Sequence, residues 1–234
     1  MRRLLTLSDL FPNPPFQPPA LMDSSAERVV TDWVSTKYGA VRYPIPTEAL
    51  TCLLERDTTD LDLYFDFGDD GMNVDGVTDF EYGAKPRVRI AARLSGSPNE
   101  HRLRTTVAHE YGHVFLHNRL VQTALQQGRL LNPEDTVTHR SYRDTARPKA
   151  GNLIEYQAWY FGAALLMPKT PLLRLVSGFL EDAGSFGGIH QDSEVGFQLQ
   201  QEIGKAFGVS QEAARIRLLK LRCLSDTAPE PSLF

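Results

Sequence analysis

The segment TTVAHEYGHVFLH, residues 105–117, constrains the fold most strongly, because it places two histidines four residues apart. On a helix, such residues lie one turn above each other on the same face, so His109 and His113 can both bind one metal ion. Glu110 lies about 100° around the helix axis, where it can reach a water molecule on that ion. This HExxH pattern predicts that His109 and His113 bind Zn²⁺ and that Glu110 is the catalytic base of a peptidase.

The five-residue pattern alone would also fit a helix that carries surface histidines. Apolar flanking residues favour a buried helix instead, and Gly112 indicates that another element packs closely there, since glycine costs about 1 kcal/mol relative to alanine inside a helix. The apolar flanks are Val107, Tyr111, Val114 and Phe115.

A catalytic zinc ion usually has three protein ligands and a water molecule, so one ligand is still missing. His117 lies two turns, roughly 12 Å, along the axis from His109, so we predict that it contacts a ligand without binding the ion, or that it lies at the helix end. A metzincin would have a histidine where this chain has Arg119. Glu155 is the predicted third ligand, although an acid in the first turn of a helix is also favourable without a metal. The loop acids Glu134, Asp135 and Asp144 remain alternatives.

Glu155 opens the strongly apolar segment LIEYQAWYFGAALLMP, residues 153–168, which is predicted to be helical and to end at Pro168. Ala158 and Gly162 are small enough to let this helix approach the HExxH helix near Gly112. We also predict that Tyr156 lies next to the metal ligands without binding the ion itself.

The rest of the chain predicts an α+β fold: a small antiparallel sheet with zincin-type helices, followed by a C-terminal helical pair. Residues 61–67 alternate as in a strand, and one or two more strands are expected in residues 76–94, with Val88 and Ile90 on one face. The HExxH helix is expected to begin at Asn99 or Glu100 and to stop near Asn118, and the polar residues that follow, up to the apolar segment, are interpreted as a loop.

Two helices are expected before the sheet. The first has a cap at Ser24 or Ser25 and ends at Gly39, and PTEALTCLLERD is the second. The proline-rich stretch of residues 11–20 cannot be a helix or a central strand and is interpreted as an extended arm.

The predicted domain organisation has four parts. Residues 1–176 are a zincin-like metallopeptidase domain with the proline-rich arm, 177–193 a linker, 194–225 a helix-turn-helix-like segment and 226–234 a tail.

The C-terminal segment has the outline of a helix-turn-helix, with a turn at Gly208 and a cap at Ser210. It could bind DNA or sense a partner, or it could be a helical pair that packs on the peptidase with solvated basic side chains. The basic residues of its second helix are Arg215, Arg217, Lys220 and Arg222.

Composition narrows the classes further. The 234 residues carry a net charge of −4, which disfavours a chain whose main task is sequence-independent binding of nucleic acid. The broken apolar run at the N-terminus does not fit a signal peptide, and no stretch fits a transmembrane helix, so we expect a cytoplasmic protein without membrane contact. Cys52 and Cys223 form no metal motif, although the Cys52 thiolate could occupy an open zinc position and hold the enzyme latent.

Two segments together, RTTVAHEYGHVFLH and IEYQAWYFGAALLMP, resemble the ImmA/IrrE family of bacterial metallopeptidases, which shows AHExGHxxLH and then ExxAxxFAxxLLMP on a second helix. The resemblance covers about residues 60–168. It implies a gluzincin-like zinc peptidase with His109 and His113 as ligands, Glu110 as the base and Glu155 as the third ligand.

Members of that family typically cleave or inactivate a helix-turn-helix repressor and so switch on stress-response or mobile-element genes. The resemblance therefore implies limited cuts in one protein, under the control of a trigger such as single-stranded DNA. The alternatives are a non-proteolytic regulator that binds DNA or a repressor and keeps a structural metal, and a toxin–antitoxin component. An intact Glu110 favours the peptidase, because a structural site needs no base.

Overall fold

The fold is taken from a computed structural model, and the structural statements concern residues 4–68, 73–96, 100–128, 136–142, 152–182 and 188–227. The strands and helices in chain order are β1 (Leu4–Thr6), α1 (Leu7–Leu10), α2 (Pro19–Tyr38), α3 (Thr47–Asp57), β2 (Asp60–Phe65), β3 (Val74–Phe80), β4 (Arg87–Ala91), α4 (Glu100–Gln126), β5 (Thr136–Tyr142), α5 (Leu153–Leu166), α6 (Lys169–Asp182), α7 (Glu194–Phe207) and α8 (Gln211–Lys220).

The strands form one mixed sheet in the order β1-β5-β3-β4-β2. β3 is antiparallel to both of its neighbours, whereas β1 pairs with β5, and β2 with β4, in parallel. The predicted α+β class is confirmed, but the sheet is not purely antiparallel. A short connection joins β3 to β4, as antiparallel neighbours allow, while the parallel partners are far apart in the sequence.

One face of the sheet carries the residues that face α4. Gly76 and Thr78 of β3 lie opposite Ile90 and Val88 of β4 in the strand register, and both apolar side chains are fully buried. The prediction that Val88 and Ile90 share a face is therefore confirmed.

The prediction of a loop between the HExxH helix and the next apolar helix was wrong for residues 136–142, which form the strand β5. Its polar and β-branched sequence, TVTHRSY, gave no apolar run, yet it is a strand because β3 on one side and β1 on the other hydrogen-bond to it. The loop acids Glu134, Asp135 and Asp144 lie outside the described residues.

The HExxH helix, α4, begins at Glu100 as predicted but continues to Gln126, well beyond Asn118. The longer helix is stable because Val121, Ala124 and Leu125 continue its buried stripe at helical spacing. They belong to an apolar cluster with residues from the N-terminus, the sheet and α5, namely Leu7, Leu10, Phe11, Phe80, Val137 and Ile154.

The proline-rich arm is shorter than predicted, because α2 begins at Pro19 rather than near Ser24. Proline is tolerated in the first turn of a helix, where its missing N–H has no partner in any case. Residues 11–18 form neither helix nor strand, and α2 ends before Gly39, whose φ is 79°.

The chain divides into two compact units. The first contains Met1–Met22 and Pro46–Gly162, and the second contains Asp23–Ile45 and Ala163–Phe234. α6 runs to Asp182 and so occupies the start of the segment predicted as a linker. Residues 228–234 of the predicted tail lie outside the described residues, and the predicted domain boundaries stay a prediction.

In the described part of the chain, no single helix is long and apolar enough to cross a membrane. Among the described helices, α5 and α6 reach the required length and apolar composition only when the two are taken together.

The second unit contains the predicted C-terminal helical pair. α7 ends at Gly208, which adopts the left-handed conformation with φ 62°, and the Ser210 side chain accepts a hydrogen bond from the Ala213 amide to cap α8. The pair and its cap are confirmed.

The basic residues of α8 are not all solvated. Arg217 is buried; its guanidinium lies 2.7 Å from an Asp23 carboxylate oxygen and donates to the Met167 carbonyl. Arg215 donates to Glu212 and Gln191. These two side chains therefore support packing within the second unit.

Candidate metal centre

α4 presents His109 and His113 side by side, as their spacing requires. Their Nε2 atoms lie 3.1 Å apart, and His113 is fully buried. The two imidazoles thus offer a pair of nitrogen donors directed to one point inside the first unit.

Glu155 joins them from the first turn of α5. One carboxylate oxygen, Oε1, lies 3.1 Å from His113 Nε2, and the other, Oε2, lies 3.6 Å from His109 Nε2. The backbone N–H of Glu155 donates to Asn152 Oδ1 just before the helix, which fixes the start of α5 and hence the position of the carboxylate. The structure therefore brings together the three residues predicted as metal ligands.

Glycines allow α4 and α5 to lie this close. A Cβ atom on Gly112 would lie 2.5 Å from the Ala158 carbonyl oxygen, and one on Gly162 would lie 2.9 Å from the Ala108 carbonyl carbon. The predicted approach of the two helices at these small residues is confirmed.

His139 of β5 completes the cluster, and it was absent from the prediction. Its Nε2 atom lies 2.7 Å from Glu155 Oε1, and its ring stacks on that of His113 with a centroid distance of 4.1 Å. One donor atom from each of His109, His113, His139 and Glu155 lies within 4.8 Å of the others. The available sequence signal for a strand with an inward histidine was alternation, with Val137, His139 and Ser141 on one face and Thr136, Thr138 and Arg140 on the other.

Electrostatics hold Glu155 in its charged form. Burial alone would raise the pKa of its carboxyl group, but the adjacent imidazoles of His113 and His139 outweigh burial and hold the pKa far below its usual range. Burial lowers the pKa of His113 well below its ordinary value, which favours the neutral imidazole that binds metals. Burial also acts to lower the pKa of His139, but Glu155 outweighs it and the pKa is raised.

The donor set fits a metal ion. Ligands about 2.0–2.1 Å from a tetrahedral ion lie about 3.4 Å from one another, close to three of the separations above. Glu155 Oε1 and His139 Nε2 are both buried, and although they form an ion pair of 2.7 Å, their contact does not have hydrogen-bond geometry. Buried polar atoms are normally paired, and one ion bound by both would satisfy them.

Glu110 lies beside the cluster on α4 and is completely buried. Its Oε2 accepts a hydrogen bond of 2.5 Å from the Thr78 hydroxyl, whereas its Oε1 has no partner among the described residues. A Cβ atom on Gly76 would lie 2.8 Å from the Glu110 carboxyl carbon, so only glycine at that position of β3 leaves room for the carboxylate.

His117 lies behind His113, in agreement with its exclusion from the ligand set. The two Nδ1 atoms are 3.0 Å apart, and His117 Nε2 lies 3.2 Å from Gln157 Oε1. Gln157 in turn donates to the carbonyl of Pro15 in the N-terminal arm. Burial lowers the pKa of His117 to about 4, so its imidazole is neutral near pH 7.

Tyr156 and Cys52 were the remaining candidates. Tyr156 follows Glu155 on α5, but its ring packs beside Tyr160, with centroids 6.0 Å apart, and its predicted role stays a prediction. Cys52 lies half-buried on α3 and is not one of the four residues whose donor atoms cluster.

The comparison with known families agrees with this geometry. Residues 67–219 match the Peptidase_M78 family model, described as the IrrE N-terminal-like domain. The chain belongs to this family. The matched range contains His109, Glu110, His113, His139 and Glu155. No curated protein matches the chain.

Proposed function

We propose that this protein is a zinc-dependent endopeptidase that makes limited cuts in one specific protein, a helix-turn-helix transcriptional repressor, and so switches on a bacterial stress, defence or mobile-element response. Membership of a peptidase family and a cluster of histidines and a glutamate that fits a metal ion support the first half of the proposal. The resemblance to repressor-cleaving relatives supports the second half.

His109, His113 and Glu155 would hold the ion. Imidazole and carboxylate donors suit Zn²⁺, and two histidines with one glutamate are the ligand set of gluzincin-type peptidases. When bound, zinc would act as a Lewis acid that lowers the pKa of a coordinated water molecule.

The Glu110 carboxylate carries the proposal, because its two oxygens have different surroundings. Thr78 fixes Oε2 by a hydrogen bond, and Oε1 is buried without a partner among the described residues. An unpaired buried carboxylate oxygen is costly, but it is the acceptor that a general base needs. Glu110 therefore takes the proton of the attacking water through Oε1, while Thr78 keeps the carboxylate in place as that water adds to the peptide carbonyl.

A second candidate function is a non-proteolytic regulator with a structural metal. The observation that favours it is the presence of His139, because four protein ligands are typical of closed structural zinc sites. A structural site has no use for a buried carboxylate that is anchored on one oxygen only, and this is why we prefer the peptidase.

The C-terminal pair has a packing or regulatory role in this proposal. The α8 arginines Arg215 and Arg217 bind residues of the second unit, which leaves fewer basic groups to read DNA. A nucleic acid, such as single-stranded DNA, would then act as a trigger.

Cleavage of a candidate repressor tests the function. Purified protein, Zn²⁺ and the helix-turn-helix protein encoded beside it are incubated with and without single-stranded DNA, and the fragments are identified by mass spectrometry. We expect discrete fragments from the wild type and from the exposed control Glu181→Gln, and none from Glu110→Gln. An intact repressor with the wild type under every condition, as with Glu110→Gln, contradicts the proposal.

A further inference from the structure

The four donors of the metal cluster are supported in two different ways. His109, His113 and Glu155 lie on α4 and α5, whose packing is fixed by backbone contacts at Gly112 and Gly162. His139 lies on β5, directly opposite Thr78 in the strand register.

His139 Nε2 is directed into the cluster. It forms an ion pair of 2.7 Å with Glu155 Oε1, although this contact does not have hydrogen-bond geometry. A metal ion bound by both atoms would satisfy them, as buried polar atoms normally are. The stacked ring of His113, with an interplanar angle of 24°, keeps the His139 imidazole in this orientation.

Four protein ligands on one ion would conflict with catalysis. A tetrahedral ion accepts four ligands, and a catalytic site keeps one position for water. Three imidazoles and one carboxylate fill all four positions, and Glu110 then has no activated water to deprotonate.

We propose that His139 is a fourth protein ligand of the metal ion in the resting protein, and that the peptidase becomes active only when the His139 imidazole leaves the ion and water takes its place. This inference rests on the proposed function, since it describes how that site is held inactive. The departing ligand is on β5 because the other three donors lie on α4 and α5, which are packed tightly together. The neighbouring strand β3 has to keep its place, since its Thr78 donates a hydrogen bond to Glu110.

The side chain of His139 reaches the protein surface. It is 12% exposed, as is His109 on the fixed helix α4, whereas His113 is completely enclosed. A conformational change in β5, driven by a trigger or by the substrate, would withdraw this one donor without moving the other three.

Cobalt-substituted protein and free imidazole test the inference without any activity measurement. Co²⁺ replaces the native metal, and its visible absorption spectrum is recorded while imidazole is added to the wild type, to His139→Ala and to the exposed control His101→Ala. We expect no spectral change in the wild type and in His101→Ala, because their coordination is closed. His139→Ala should bind Co²⁺ at least about tenfold more weakly than the wild type, and added imidazole should restore a spectrum like that of the wild type.

A wild-type spectrum that shifts with imidazole as that of His139→Ala does would overturn the inference. Because His139→Ala could fail to fold, the number of imidazole ligands is also measured on the zinc-loaded wild type by X-ray absorption. Three are expected, and two would overturn the inference. Repressor cleavage by the wild type in the presence of the trigger is measured separately. Cleavage together with an open metal site refutes only the role of His139. A closed metal site without cleavage refutes only the peptidase function.

Discussion

The Nδ1 atom of His113 lies 3.0 Å from the Nδ1 atom of His117, and this contact fixes the protons of both rings. If His113 binds a metal through Nε2, its Nδ1 carries the proton and donates it to His117. His117 then donates through Nε2 to Gln157, which donates to the Pro15 carbonyl. Donors and acceptors alternate along this series of hydrogen bonds, so a single arrangement of protons satisfies all four groups.

Gln157→Leu should therefore weaken metal binding. Groups that orient a ligating histidine typically contribute a factor of about 10–100 to metal affinity, and we expect a loss in this range, measured by competition with a chromophoric chelator. Gln126→Leu is the matched control, because Gln126 is exposed at the end of α4. Equal affinities for the two variants would show that the arm and Gln157 do not position His113.

Gly76→Ala should reduce peptidase activity and leave metal content unchanged. The added Cβ would collide with the Glu110 carboxylate and displace the base, while the donors on α4, β5 and α5 keep their places. The reduction should appear in kcat, since the chemical step depends on where Oε1 lies. Metal loss in parallel with activity would mean that the substitution disturbs the sheet as a whole.

Gly112→Ala should destabilise the fold. Its Cβ would meet the backbone of Ala158, which cannot move aside as a flexible side chain can, and overpacking typically costs about 1–3 kcal/mol. Gly178 of α6 has open space around its Cβ position, so Gly178→Ala should instead stabilise by about 0.5–1 kcal/mol. Urea denaturation measures both, and equal shifts of the two midpoints would contradict the close packing of α4 on α5.

Arg217→Met tests the role of α8. Arg217 and Asp23 form a buried pair with a 2.7 Å contact, and removing one partner of such a pair costs about 3–5 kcal/mol. We expect that loss of stability from Arg217→Met in urea denaturation, and less than about 0.5 kcal/mol from Lys220→Met, whose side chain is exposed. A stable Arg217→Met variant that has lost affinity for DNA would instead support DNA reading by this helix.

The sequence allowed the prediction of α4 and α5 because their signals are local. The paired histidines, the buried stripe and the small residues at the helix contact all lie within single segments. They also led to Glu155, whose carboxylate lies beside His109 and His113. β5 could not be predicted in the same way, since a polar strand is defined by its pairing with β1 and β3, which are distant in the sequence.

His139 was missed for the same reason. Its position depends on a strand register that places it opposite Thr78, and no spacing within the chain encodes that register. The roles of two further residues likewise depend on contacts between distant parts of the sequence. Gly76 lies against Glu110, and Gln157 donates to the Pro15 carbonyl.

The zinc content of three proteins tests the central claim most directly, because the account gives the two site carboxylates different tasks. In the proposed function, Glu155 binds the ion and Glu110 does not. Elemental analysis after dialysis against a competing chelator should find about one zinc ion per chain in the wild type and in Glu110→Gln, and less in Glu155→Ala, because that variant keeps only the imidazole donors. Undiminished zinc in Glu155→Ala, or loss of zinc in Glu110→Gln, would contradict the assignment of ligand and base.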